Sequence, residues 1–143
     1  MIPESSSVSQ LSHVISQAAA PAFILAALAA FTALLIARQN RIVDRTIVLN
    51  AISDDSVKER LKADLPRLMR RAAMLNRAIL WAVISSIAIT VLVILAFVSA
   101  LLHIQHEVGV AILFIVALLA FTISLVEFAR EVRIALNELD HYG

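Results

Sequence analysis

The chain has 143 residues, of which 61% are hydrophobic and 16% charged, and its formal net charge is +1. Soluble domains are about 45–50% apolar, so this composition favours a membrane protein, and no nucleic-acid partner is expected. The absence of cysteine excludes disulfides and thiolate chemistry. The two glycines are too few for a phosphate-binding loop, and they predict long helices joined by few turns.

The N-terminal segment, residues 1–17, is polar and serine-rich and contains no lysine or arginine. A secretory signal peptide begins with a basic segment, so the apolar run that follows is not expected to be cleaved. Pro21 is expected in the first turn of a helix, where its missing N–H would have no helical partner in any case.

Three uncharged, mostly apolar runs follow, at residues 18–37, 78–102 and 108–126. About 20 such residues cross the roughly 30 Å hydrocarbon core of a bilayer. The short link at 103–107 makes the second and third runs an antiparallel hairpin. A soluble helical bundle would need a polar face on each helix, and none of these runs has a charged one. The sequence therefore predicts an all-α integral membrane protein with three transmembrane helices.

The lysines and arginines predict the orientation. Ten of the twelve lie in residues 38–77 and the other two in the C-terminal segment, 127–143. Positive charge stays on the cytoplasmic side. We therefore expect residues 38–77 and 127–143 inside the cell, and the N-terminus and the 103–107 link outside it.

The inner segments are expected to continue as helices and to form a cytoplasmic helical bundle. Residues 50–55 are predicted to be a loop. Ser56 and Glu59 then match a capping box at the start of the next helix. Pro66 either kinks this helix or restarts it with Asp64 as the cap.

Charged residues near the inner ends of the spans predict an ion-pair network. Acidic side chains of the third helix are expected to face arginines of the first and second. The basic stripe of Arg38, Arg41 and Arg45 has three readings: a structural ion-pair partner, a site for anionic lipid headgroups, or the charged mouth of a pore. The predicted network comprises Arg38, Arg41, Asp44, Arg45, Arg70, Arg71, Arg77, Glu127, Arg130, Glu131 and Arg133.

The outer link contains His103, His106 and Glu107, and the N-terminal segment adds His13. If the link were helical, these three link residues would share one face and could present two imidazoles and a carboxylate to a metal. The alternatives are a proton sensor and polar residues that a water-exposed turn simply requires. Metal binding is not expected from two histidines without a clear third ligand.

A small-residue face runs along the first span. It predicts close helix packing in lipid, either against the hairpin of the same chain or between subunits, and we expect self-association. Its members are Ala22, Ala26, Ala30, Ala33 and Ala37.

The spans contain no ionisable side chain, which argues against a pump or secondary transporter. Their serine and threonine hydroxyls are expected to bond the backbone of their own helices. No motif for catalysis or for a cofactor is present, so neither an enzyme nor a cofactor is expected.

Three motifs in order around the spans resemble a bacterial membrane family, domain of unknown function 2721. They are Arg38-Gln-Asn-Arg41-Ile-Val-Asp44-Arg45, then Arg70-Arg71 with Leu75-Asn-Arg77-Ala-Ile, then Glu127 with Glu131-Val-Arg133-Ile-Ala-Leu136. The resemblance covers roughly residues 18–139 and differs from the family pattern at Ile47, where another arginine is usual. It implies a multi-pass protein of the bacterial inner membrane and implies no activity.

Two functional hypotheses follow. The first is a homo-oligomeric assembly with channel or pore activity. The second is a membrane-anchored scaffold or adaptor whose cytoplasmic helices bind a partner or anionic lipid.

Overall fold

The computed structural model describes residues 4–51, 55–103 and 107–139, with side chains described at 8–51, 59, 63–103 and 107–137. This part of the chain forms three α-helices and no strand: α1 (Glu4–Ala51), α2 (Asp55–Leu102) and α3 (Glu107–Leu139). The absence of glycine within α1 and α2 agrees with their lengths of 48 residues each, because glycine destabilises helix interiors.

Each helix contains a segment long and apolar enough to cross a membrane. The predicted class, an all-helical protein with three helices of membrane-spanning length, is therefore confirmed. At 1.5 Å per residue, α1 and α2 are each about 70 Å long, more than twice the bilayer core. We call the end of the bundle nearest the α1–α2 connection the stem end, and the end nearest the α2–α3 connection the hairpin end.

The buried residues of α1 and α2 recur every seven positions. On α1 they are Pro21, Leu28, Leu35 and Ile42, and on α2 the series is Leu68, Leu75, Ala82 and Ile89. A seven-residue repeat keeps one stripe of each helix facing its neighbour in a left-handed coiled-coil geometry. The stripes meet in two clusters, one around Leu35 and Leu75 and one around Leu28 and Ala82.

The contact between α2 and α3 follows the same repeat, with polar pairs in three successive layers. Arg71 pairs with Glu131, the Ser124 hydroxyl donates to the Ala78 carbonyl, and the Ser85 hydroxyl donates to the Ala117 carbonyl. Each layer is seven residues further along α2 and seven residues back along α3. Alanine and serine at these positions let the two backbones approach closely enough for a hydroxyl to reach the opposite carbonyl.

The N-terminal helix is longer than the sequence indicated. α1 begins at Glu4, so the polar segment before the first apolar run is helical from there, and Pro21 lies well inside the helix. The expected first-turn position of Pro21 was therefore wrong. A proline removes one backbone hydrogen bond, and a long helix anchored on both sides by packing tolerates that loss.

Two predicted features near the α1–α2 connection need correction, and a third lies outside the described residues. α1 continues through Ala51 and α2 starts at Asp55, so the predicted 50–55 loop was too long. Residues 52–54 lie outside the described residues, as does the Ser56 side chain of the predicted capping box. Pro66 lies inside α2, so the helix does not restart with Asp64 as its cap.

Candidate functional site

A buried carboxylate joins all three helices at the stem end. The Glu131 side chain of α3 is fully buried, and it occupies the same seven-residue stripe as Ala117 and Ser124. Its Oε1 lies 2.9 Å from Nη2 of Arg71 on α2, and its Oε2 lies 2.8 Å from Nε of Arg38 on α1. We call Arg38, Arg71 and Glu131 the clasp.

The two arms of the clasp differ. Arg71 also donates from Nε to Oε1 of Glu131 at 3.0 Å, so two N–H groups of one guanidinium converge on one oxygen. Arg38 Nε is as close to Oε2, yet neither atom has an aligned hydrogen bond. The Arg71 side chain is 14% exposed and that of Arg38 is 33% exposed. Arg71 is therefore the stronger partner, and Arg38 contributes mainly charge.

Aromatic rings of α3 support the Arg38 arm. The guanidinium carbon of Arg38 lies 5.6 Å from the centroid of the Phe128 ring, within the range of a cation–π contact. Phe31 of α1 packs edge-to-face against both Phe121 and Phe128, with centroid distances of 5.6 Å. These rings fill the space between α1 and α3.

A second acidic residue lies one helical turn from Glu131. Glu127 Oε1 is 3.5 Å from Nη1 of the exposed Arg130. Its Oε2 is buried and has no hydrogen-bond partner among the described atoms. Glu127 thus adds negative charge beside the clasp without joining the helices.

The other members of the predicted network do not join it. Among the described residues they form no ion pair, and their side chains are exposed on the stem. They are Arg41, Asp44, Arg45, Arg70, Arg77 and Arg133.

The hydroxyls in the spans divide into two groups. Ser86, Thr90 and Thr122 each donate to the carbonyl four residues back in their own helix, as the sequence indicated. For Ser85 and Ser124 that expectation was wrong, because both donate across the α2–α3 contact. A cross-helix bond satisfies the hydroxyl and also sets the register of the two helices.

At the hairpin end, residues of all three helices line a cleft of about 1100 Å³. His13, Gln17, His103 and Glu107 are among the residues that line it. α2 ends at Leu102, and His103 has a left-handed backbone conformation with φ of 56°. His103 and Glu107 therefore do not share one helix face, and the helical premise of the predicted metal motif was wrong.

The weak metal candidates gain no further ligand from the part of the chain that the structure describes. No group of three histidine, cysteine, aspartate or glutamate side chains in it could hold a metal ion. His106 lies outside the described residues.

The alanine face of α1 is exposed, and one of its members, Ala33, borders a groove between α1 and α2. All five of its alanines are exposed. At 100° per residue, Ala26, Ala33 and Ala37 lie opposite the buried stripe that contains Leu28 and Leu35. The exposure of these alanines leaves most of this face free for contact with a second copy, which is the second of its two readings.

The fold and the clasp define a class, an all-helical protein with three helices of membrane-spanning length that a buried ion triad joins at one end. The chain belongs to the family described as "Protein of unknown function (DUF2721)", whose model matches residues 18–141. The expected family resemblance is thus confirmed. No curated protein and no solved structure matches the chain.

The cross-helix serines and the hairpin-end cleft were not predicted from the sequence, and Glu131 was anticipated only as a partner of arginines. The cross-helix serines could have been found from the seven-residue spacing of Ala78 and Ser85 and of Ala117 and Ser124. Glu131 falls on the same spacing, which predicts a buried carboxylate. The hairpin-end cleft had no sequence signal, because it depends on how three helices are placed relative to one another.

Proposed function

We propose that this chain is a subunit of a homo-oligomeric assembly in the bacterial inner membrane, with α1 as the contact helix between subunits. In this proposal the N-terminus and the hairpin end are outside and the stem is cytoplasmic, as the distribution of lysine and arginine indicates. The observation that supports it best is the outward face of α1, which carries exposed alanines within the span and, around the helix on either side of Asp44, the exposed Ile47 and Val48 in the stem.

Within the span this face consists of the five exposed alanines. Small side chains that face lipid make little contact with the acyl chains, whereas between two helices they allow a close approach. One alanine stripe alone would be weak support, so the part of the same helix outside the bilayer matters more.

In the stem, Ile47 and Val48 are 60% and 62% exposed. At 100° per residue both lie within about 60° of Ala33, on the outward side of α1. If the stem stands in water, acyl chains cannot cover these two side chains. Each side chain would then lack the roughly 1.5–3 kcal/mol of stabilisation that burial provides. A second copy packed along α1 would cover the alanines and these two side chains together.

Subunit number in nanodiscs, measured by native mass spectrometry, tests the proposal. Wild type is expected to be oligomeric, and Ala30→Leu is expected to shift the population to monomer by preventing close approach. Ala129→Leu is the matched control, because Ala129 is an exposed alanine on α3 and does not belong to the contact helix. A monomeric wild type, or equal effects of the two variants, contradicts the proposal.

Pore activity is the further step of this proposal, and it requires a ring of at least four copies around a central axis. The exposed Arg41 would then lie near the inner mouth, whereas Arg38 is engaged by Glu131. Single-channel recording in planar bilayers should show conductance, and Arg41→Gln should lower the anion-to-cation permeability ratio. Absence of conductance from an assembled ring would remove the pore and leave the assembly.

The scaffold hypothesis has its own support in the exposed, unpaired arginines of the stem, among them Arg41, Arg45 and Arg70. Each basic residue near an anionic surface contributes on the order of 1 kcal/mol. Flotation with vesicles of phosphatidylglycerol, using the chain in nanodiscs, is expected to show salt-sensitive binding. Binding that survives Arg45→Gln together with Arg70→Gln would argue against this role.

A further inference from the structure

The cleft at the hairpin end has the size and layered lining of an amphiphile-binding site. Residues of all three helices line it, and its volume of about 1100 Å³ exceeds the roughly 300–1,000 Å³ of most small-molecule pockets. An occupant that fills it is therefore larger than most drug-sized ligands.

The cleft begins where the close α2–α3 contact ends. The next layer after Ser85 and Ala117 in the seven-residue repeat is Leu92 opposite Val110, and both line the cleft. Beyond it the facing positions include Ala96, Ala100 and Ala111. These side chains are short and fill little of the space between the helices, so an apolar volume stays open there.

The interior and the rim of the cleft differ in chemistry. Leu92, Val93, Val110 and Phe114 make the interior apolar. At the rim are the polar side chains Ser9, Gln10, His13, Gln17, His103 and Glu107. The side chains of His13 and Gln17 are hydrogen-bonded to each other at 3.0 Å.

The rim lies at headgroup depth. Gln17, His103 and Glu107 each directly precede or follow one of the three apolar runs, so they lie where a bilayer changes from hydrocarbon to headgroups. Among the described residues, no lysine or arginine lines the cleft, and Glu107 is the charged side chain of its lining. This charge distribution favours a headgroup with a cationic centre over a purely anionic one.

We propose that the cleft binds one molecule of an ammonium-bearing amphiphile, of the phosphatidylethanolamine type. Its alkyl chains lie between Ala96 and Phe114, and its ammonium group pairs with the Glu107 carboxylate. The Gln17 amide and imidazole N–H groups of the rim donate hydrogen bonds to its phosphate. The inference goes beyond subunit assembly and does not depend on it.

The test begins with the full chain in nanodiscs that contain equal amounts of phosphatidylethanolamine and phosphatidylglycerol. After gentle transfer to detergent, native mass spectrometry is expected to show one retained phosphatidylethanolamine per chain. Glu107→Gln should reduce the preference for this lipid about five- to tenfold, as the loss of a charge-assisted contact at the interface predicts. Glu59→Gln, an exposed acid on α2 near the stem end, is the control and should change nothing.

The second part of the test fills the apolar interior of the cleft with larger side chains. Ala96→Phe and Ala111→Phe, tested separately, should each lower retention at least about tenfold while helicity and monodispersity stay as in wild type. Leu95→Phe is the control, since Leu95 is exposed on α2 and does not line the cleft. A phosphatidylethanolamine with a photoreactive acyl chain should cross-link to residues 110–114.

Dodecylamine, a free single-chain amine, tests whether the ligand of the cleft is a bilayer lipid or a free amphiphilic amine. Displacement of the retained lipid by micromolar dodecylamine would identify a free single-chain amine as the better ligand, and resistance would identify the bilayer lipid. No retained lipid, equal retention of both headgroups, or acyl cross-links that Ala111→Phe leaves unchanged would overturn the proposal. So would a protein–protein cross-link across the cleft, which would show a second copy in it. A failed Ala30→Leu experiment would leave this result unaffected.

Discussion

At the scale of single residues, Glu131 is held by ion pairs on both of its carboxylate oxygens. It is fully buried, and two guanidinium groups on two other helices converge on its two oxygens. A buried ion pair adds little stability compared with apolar packing, but removing one partner leaves a buried charge uncompensated. The clasp therefore enforces one arrangement of the helices at the stem end.

Glu131→Gln should lower the free energy of unfolding by about 3 kcal/mol, the lower end of the range for breaking a buried pair, because both arginines keep some contact with water. Arg71→Ala should cost more than Arg38→Ala, since Arg71 donates two bonds to one oxygen. Thermal unfolding in detergent measures both. Arg133→Gln, at an exposed and unpaired site, is the control, and a shift equal to that of Glu131→Gln would contradict this account.

At the scale of helices, the contact between α2 and α3 is set by small residues in a seven-residue repeat. Ala78 and Ala117 are completely buried and accept the hydroxyls of Ser124 and Ser85. The layer of Arg71 and Glu131 continues the same repeat. Register and helix separation are therefore decided at the same positions.

Ala117→Leu should force the two helices apart and destabilise the protein by about 1–3 kcal/mol, as overpacking does in close-packed interiors. Ser85→Ala should cost less, about 0.6 kcal/mol, the average for a hydrogen bond between membrane helices. Unfolding in detergent, followed by circular dichroism, gives both values. Ala129→Leu on the exposed side of α3 and Thr90→Ala, whose hydroxyl bonds its own helix, are the controls and should change little.

At the scale of the whole molecule, the open question is which end of the bundle faces the cytoplasm. The chain contains no cysteine, so single cysteines report topology without background. We expect Ser12→Cys to react with a membrane-impermeant maleimide from the outside and Asn50→Cys to react only after permeabilisation, because the stem carries nearly all the positive charge. The reverse pattern would place the stem outside and remove the cytoplasmic part of the proposed function.

Sequence alone determined that the chain is helical and has three helices long and apolar enough to cross a membrane. Apolar length is a local property, and the bilayer thickness that it must match is known in advance. The same holds for the family, whose motifs are contiguous in the chain. The facing of Glu131 toward arginines of α1 and α2 could also be anticipated, because buried charges require partners.

Only the tertiary structure decided which arginines reach Glu131, which hydroxyls cross between helices and where the cleft opens. Arg38 and Arg71 differ from Arg41 and Arg70 in the side of the helix that they occupy, and that side is set by packing across three helices. The outward position of the alanine face was decided in the same way. Each of these features depends on rotation and separation of helices that are far apart in the chain, which no local pattern specifies.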